Sequence, residues 1–121
     1  MQKQMGEAGM NAELHQYLIE VARDQGYRRY REIGERFALD MNRPEDRNEI
    51  SRLLDEVSEY EASQGNPLLS AVVIHADDNM PGNGFFEMAQ RMGRFSDGDR
   101  LEFWLREIRA VHDFWSAESS A

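Results

Sequence analysis

Cysteine is absent from this chain of 121 residues. That absence excludes a disulfide framework, a thiolate nucleophile and cysteine-bound zinc, and leaves no argument for an oxidising compartment. Lysine occurs once, at Lys3, so the other basic side chains are arginines, a bias that genome composition explains more simply than a demand for bidentate pairing. No apolar run approaches the length of a bilayer span, and residues 1–10 lack the apolar core of a secretion signal, so a soluble, cytoplasmic protein is expected. Also missing are internal repeats, low-complexity tracts, two histidines four residues apart, Walker spacing, a serine in a nucleophile elbow and a glycine-rich dinucleotide loop. Nucleophilic catalysis and a Rossmann cofactor are thereby disfavoured, and no cofactor is expected.

What is present describes an ordinary globular chain, with 40% hydrophobic and 31% charged residues. Its length suits one domain over residues 11–116, with flexible ends at 1–10 and 117–121. Fourteen basic against 23 acidic residues leave a formal charge of −9, which opposes nonspecific attachment to nucleic acid or anionic lipid and steers a basic partner toward the chain.

The expected fold is α+β and predominantly helical, with about five helices and one short buried strand, or a small two-stranded sheet, between the third and fourth. Asn11 caps a first helix whose Leu14, Tyr17, Leu18 and Val21 share a face and which Gly26 stops. Tyr27, Tyr30, Ile33 and Phe37 continue at helical spacing, predicting a second helix that follows at once and forms a helical hairpin with the first. Asn42 and Glu45 form a capping pair for the third helix, with Pro44 in its first turn. Its buried stripe is Ile50, Leu53, Leu54, Val57 and Tyr60, its solvated face is acidic, and Gly65 and Pro67 end it.

The β-branched run Leu68-Leu69-Ser70-Ala71-Val72-Val73-Ile74 reads as a buried strand. A lone strand leaves its amides unpaired, so it needs either an inconspicuous second strand or the same strand of another copy, which would make a homodimer. Met80-Pro81-Gly82-Asn83 fits a tight turn with a positive φ at the glycine. Phe85, Met88, Ala89 and Met92 then line a short helix ended by Gly93. Ser96 and Asp99 form a capping pair for a last helix running to about Trp115. Leu101, Trp104, Leu105, Ile108, Val111 and Trp115 make its main stripe, while Phe103, Ala110 and Phe114 form a second apolar side, so the helix is either sandwiched in the core or lends one face to a partner.

Residues able to carry chemistry are few. His75, Asp77 and Asp78 follow the strand, where open sheets place ligands, and with Glu87 or His112 they suggest a metal site (His75, Asp77) or an acid–base set (Asp77, Asp78, Glu87) suited to a metal-dependent hydrolase or nuclease. Asp-Asp-Asn after a strand is also plain turn chemistry, and that reading is preferred. His112 lies on the buried stripe, so an imidazole bonded to a backbone carbonyl or carboxylate is expected. Pro81-Gly82-Asn83-Gly84 ahead of a helix is read as a structural turn, since no lysine follows and acids surround it. Arg23, Arg28, Arg29, Arg31 and Arg36, interleaved with Tyr27 and Tyr30, form the basic cluster. Asp24, Glu32 and Glu35 leave it only about +2, too little for direct nucleic-acid binding, and pairing with the acidic third helix is expected instead.

Pro67-Leu68-Leu69-Ser70-Ala71-Val72-Val73, followed by Met80-Pro81-Gly82-Asn83-Gly84-Phe85-Phe86, resembles the central pattern of a family of small uncharacterised bacterial proteins. The likeness spans roughly residues 27–115. It implies a setting of mobile elements and defence islands, action on or beside another macromolecule, and no assigned activity, so it carries over no catalytic role.

Together these features favour a non-enzymatic protein-binding module, an inhibitor or accessory subunit. Phe103, Phe114, Glu49, Glu56 and Glu59 are expected to meet a protein partner with a basic surface, with no membrane or direct nucleic-acid contact. Mimicry of the phosphate array of DNA by the acidic helix is a specific variant.

Overall fold

A computed structural model describes residues 10–120, with side chains to 116, so the ends expected to be flexible fall largely outside the described residues. Two parts of those ends depart from expectation. Met10 is buried in the core, and the last helix continues through Ser120 rather than stopping near Trp115.

The order is α1 (Ala12–Arg23), β1 (Arg28–Arg29), α2 (Tyr30–Arg36), α3 (Pro44–Ser63), a 3-10 helix (Leu69–Val72), β2 (Val73–Ile74), α4 (Asn83–Arg91) and α5 (Arg100–Ser120). This is the expected α+β, mainly helical fold. Among the described residues no helix is long and apolar enough to cross a membrane.

Asn11 caps α1, its Oδ1 accepting from the Leu14 amide at 3.0 Å, and Leu14, Leu18, Ile19, Val21 and Ala22 form the buried face. Gly26 serves the stop by donating its amide to the Val21 carbonyl, while the left-handed position falls one residue earlier, at Gln25. The expected helical hairpin is interrupted here. Arg28 and Arg29 are extended and pair in parallel with Val73 and Ile74, Arg28 opposite Val73 and Arg29 opposite Ile74. Parallel pairing requires a long crossover, which α2, α3 and the 3-10 helix supply. The strand partner therefore comes from within the chain, and unpaired amides give no reason for a second copy.

Glu32 closes the start of α2 by accepting from the Arg29 amide at 2.8 Å. Gly34 is needed for close approach, because a β-carbon there would lie 2.7 Å from the Leu39 carbonyl oxygen. The expected Asn42 cap of α3 does not form. Arg43 takes the cap position without a side-chain bond, and Pro44 opens the helix. Asp40 instead accepts from the Asn42 amide, bending the chain into α3.

The run expected as one strand is extended only at its end. Over Leu69–Val72 it tightens into a 3-10 helix because side chains from two helices take its backbone groups. Ser58 of α3 accepts from the Ser70 amide at 2.9 Å and donates to the Ser70 hydroxyl at 2.7 Å. From α5, Glu107 accepts from the Leu68 amide at 2.7 Å, and Trp104 donates Nε1–H to the Ala71 carbonyl at 2.9 Å. α1, α3 and α5 all pack on this segment, making it the centre of the core.

α4 buries Phe85, Phe86, Met88 and Ala89 and ends at Gly93, which is left-handed as a helix stop allows. α5 is capped by Asp99, not Ser96: Asp99 Oδ1 accepts from Leu101 and Glu102, whereas the Ser96 carbonyl accepts from Gln90. The two apolar sides of α5 are apportioned differently from the sequence expectation. Phe103 is buried within a cluster of Phe85, Phe86 and Phe95, its centroid 4.8 Å from that of Phe95. Leu101 and Leu105, expected inside, are exposed. The socket of three phenylalanines takes in Phe103, while Trp104, Ile108, Val111 and Trp115 of the main stripe stay buried and only its two leucines are left outside.

Candidate functional site

The segment between β2 and α4, residues 75–82, forms a ridge with a concavity on either side. Its shape is set locally. The His75 amide donates to Met80 O at 2.9 Å, Asn79 N donates to His75 O at 3.0 Å, and Asp78 accepts from the Met80 amide at 3.1 Å. Asn79 takes the left-handed conformation expected of a glycine in this turn, while Gly82 has an ordinary negative φ. Gly82 gives room for a neighbouring side chain instead. A β-carbon there would sit 2.8 Å from His75 Nε2, where the imidazole rests against Tyr30 with ring centroids 4.4 Å apart. The Gly82 amide in turn donates to the Tyr30 hydroxyl at 3.0 Å, so the two aromatic rings and the ridge form one unit.

On one side lies a cleft of about 440 Å³ between α2, α3 and the ridge, with Tyr30, His75, Ile50, Leu54, Ser51 and Asp55 among its walls. Burial dominates its electrostatics. It pushes the Asp55 carboxyl up to about 6, a rise that the nearby Arg91 only partly offsets and to which the Glu59 and Glu87 carboxylates add. Tyr30 is also raised, chiefly by burial, against the lowering effect of the Gly82 amide, with Asp55 and Asp78 contributing. Asp55 therefore holds a charge at neutral pH at a cost that its partner does not fully relieve: the Arg91 contact is 3.4 Å long and is shared with Glu59 at 3.1 Å.

On the other side is a wider, shallower groove of about 780 Å³ between the ridge and α5. Tyr27, Leu101 and Leu105 border it and are 42%, 48% and 50% exposed, with Trp104 and Ile74 at its floor. Aromatic contacts support this wall from beneath, since Tyr27 meets both Trp104 and His112. His112 Nε2 donates to the Gly26 carbonyl at 3.0 Å, the structural role expected of it.

His75, Asp77 and Asp78 stand exposed on the ridge, and Glu87 is exposed on α4. Among the described residues no three histidine or carboxylate side chains, His75 and Asp77 included, gather into a group that could hold a metal ion. The acid–base set Asp77, Asp78 and Glu87 has no geometric support either, and Asp78 serves the turn, as plain turn chemistry requires.

The residues expected to meet a partner are also redistributed. Phe103 is buried, and Phe114 is half-buried with its edge on Trp115, centroids 4.9 Å apart. Glu49 and Glu56 both pair with Arg52, at 2.6 and 2.7 Å, and Glu59 pairs with Arg91. Much of the acidic face of α3 is thus neutralised within the chain. The basic cluster does not supply that neutralisation: Arg28 Nε donates to the Tyr17 hydroxyl at 3.1 Å, and Arg36 lies over the Tyr17 ring at 4.3 Å. Short helical spacing explains the difference, because Arg52 reaches carboxylates three and four residues away on its own helix.

Sequence reasoning passed over Asp55, which reads as one more acid on a charged face, and the Leu101–Leu105 pair, which reads as core. Neither carries a sequence signal, since both depend on which neighbours the fold delivers. No family model, curated protein or solved structure matches this chain.

Proposed function

We propose that this chain is a non-enzymatic binding module that docks a basic, amphipathic helical segment of a partner protein in the groove between the 75–82 ridge and α5. The observation that carries this reading is the placement of Tyr27, Leu101 and Leu105 around one depression, each more than two-fifths exposed. Large apolar side chains gathered at one surface site gain free energy when a partner covers them, and a groove bordered by leucines suits the apolar stripe of a helix. Charge selects the partner through the chain as a whole: at the groove Glu32 and Asp78 stand against Arg28 and Arg29, and the field comes from the surplus of −9 carried by the whole chain. Such a field speeds encounter with a cationic segment and disfavours an anionic one. An inhibitor or accessory subunit in a mobile-element or defence setting fits this role.

The test is a fluorescence-anisotropy titration of the full chain with two labelled helical peptides, one with leucines opposite arginines, the other with leucines opposite glutamates. The basic peptide should bind, weaken with added salt, and lose roughly tenfold or more in affinity to the Leu101→Glu, Leu105→Glu double variant. Equal binding of both peptides, or unchanged binding by the double variant, would reject the proposal. Sedimentation at several concentrations covers self-association: a dimer abolished by the same variant would assign the groove to a second copy instead.

A further inference from the structure

The cleft on the opposite side of the ridge holds an incomplete ionic contact. Asp55 is largely removed from water, its side chain 25% exposed, yet the one cation among the described residues shown to pair with it, Arg91, approaches from outside at 3.4 Å and is itself 55% exposed. A charge-assisted bond of full strength is shorter, about 2.8 Å, and a carboxylate at this depth calls for such a partner. The other cations and acids of the cleft offset one another at its rim. Arg29, Arg31 and Arg47 stand there against Glu32, Glu35 and Asp77, all six exposed, and Arg47 donates to the Met41 carbonyl. The excess charge of the interior is therefore negative and centred on Asp55. Beside it stand the stacked rings of Tyr30 and His75, and Ile50 and Leu54 supply apolar wall.

A carboxylate, an aromatic pair and an apolar wall in one cleft match one side chain closely. A guanidinium is planar, always charged and weakly hydrated; it bonds carboxylates and lies against aromatic rings, and its three-carbon stem is apolar. The chain already uses this pairing internally, with Arg36 over Tyr17 and Arg100 over Phe86 at 4.8 Å. In its neutral form His75 adds a ring nitrogen able to accept from the same group.

We propose that this cleft is a socket for an arginine side chain of the basic partner, seated with its guanidinium against Asp55 and beside the Tyr30–His75 pair. This rests on the reading of a basic partner given above and names the residue type that anchors it. The ridge then separates two complementary contacts, an apolar groove on the α5 side and an ionic socket on the α3 side.

The socket is tested without the partner, by following the NMR spectrum of the full chain at about pH 8, where Asp55 is ionised, during titration with Nα-acetyl-arginine amide. The uncharged isostere Nα-acetyl-citrulline amide is the control. Expected are saturable shifts of Asp55, Tyr30 and His75 with the arginine probe, absent with citrulline, weakened roughly tenfold or more in Asp55→Asn and unchanged in Leu101→Glu. Asp55→Asn removes a costly charge and keeps the side-chain shape, so it should remain folded. Equal shifts with citrulline, no saturation at any concentration, or retained binding in Asp55→Asn would overturn the socket. The docking groove would stand or fall separately on the peptide titration.

Discussion

The indole of Trp104 donates its Nε1–H to the carbonyl of Ala71 at 2.9 Å, joining the middle of α5 to the buried 3-10 segment. The donor lies on the helix that borders the proposed docking groove, and the acceptor lies in the core. Trp104→Phe should keep most of the packing but leave a buried carbonyl unpaired, with a loss of about 2 kcal/mol. Urea denaturation measures it, and an unchanged midpoint would show that the bond contributes nothing.

Two glycines separate backbone from side-chain crowding. At Gly34 a β-carbon meets the Leu39 carbonyl oxygen, which is held by the turn after α2, so Gly34→Ala should destabilise by about 2 kcal/mol or more. At Gly82 the obstacle is the exposed His75 ring, which can swing away. Gly82→Ala should cost no more than about 1 kcal/mol while displacing His75 from Tyr30, seen as a change in the ring-current shifts of both residues. Equal destabilisation by the two variants would contradict this contrast.

Asp55 gives a pH dependence with a definite sign. Its folded pKa of about 6 lies above the ordinary aspartate value near 3.9, so the native state binds its proton more tightly than the unfolded chain. The stability this group contributes is fully present below the unfolded value and is lost as pH rises through about 6. Asp55→Asn should therefore stabilise the chain at about pH 8, by about 1 kcal/mol after discounting for solvent screening, and leave it unchanged at about pH 3. Thermal unfolding at both values checks this, and stabilisation that persists in acid would assign the effect to packing.

The reversal on α5 is open to a paired comparison. Leu101→Glu and Leu105→Glu should each stay within about 0.5 kcal/mol of the parent in stability, as exposed positions do. Phe103→Ala should cost about 3–4 kcal/mol because it opens a cavity among three rings. The opposite order in denaturant would mean that the start of α5 buries Leu101 and Leu105 and exposes Phe103.

Where signals are local, the fold was legible in advance. Asn11, Gly26, Pro44 and Gly93 act within a few residues of themselves, and each marks a helix boundary close to where the sequence places it. The strand at Val73 and Ile74 was legible through its β-branched composition. Its partner was not, because Arg28 and Arg29 have neither apolar character nor alternation and become a strand only by pairing. Asp99 replaced Ser96 as cap because both residue types suit the position, and only the direction of the following helix selects between them.

The candidate site divides along the same line. The sequence by itself determined that this chain is acidic and free of cysteine, through its composition, and that its periodicity is mostly helical, through the order of its residues. Tertiary structure alone decided that Leu101 and Leu105 face water, that Phe103 does not, and that Asp55 lies in a cleft beside two aromatic rings. The physical reason is that charge and helical spacing belong to the chain itself, whereas burial is a property of neighbours. α5 keeps Trp104, Ile108, Val111 and Trp115 of its main stripe in the core, and only near its start do the rings of Phe85, Phe86 and Phe95 take in Phe103 while Leu101 and Leu105 stay outside.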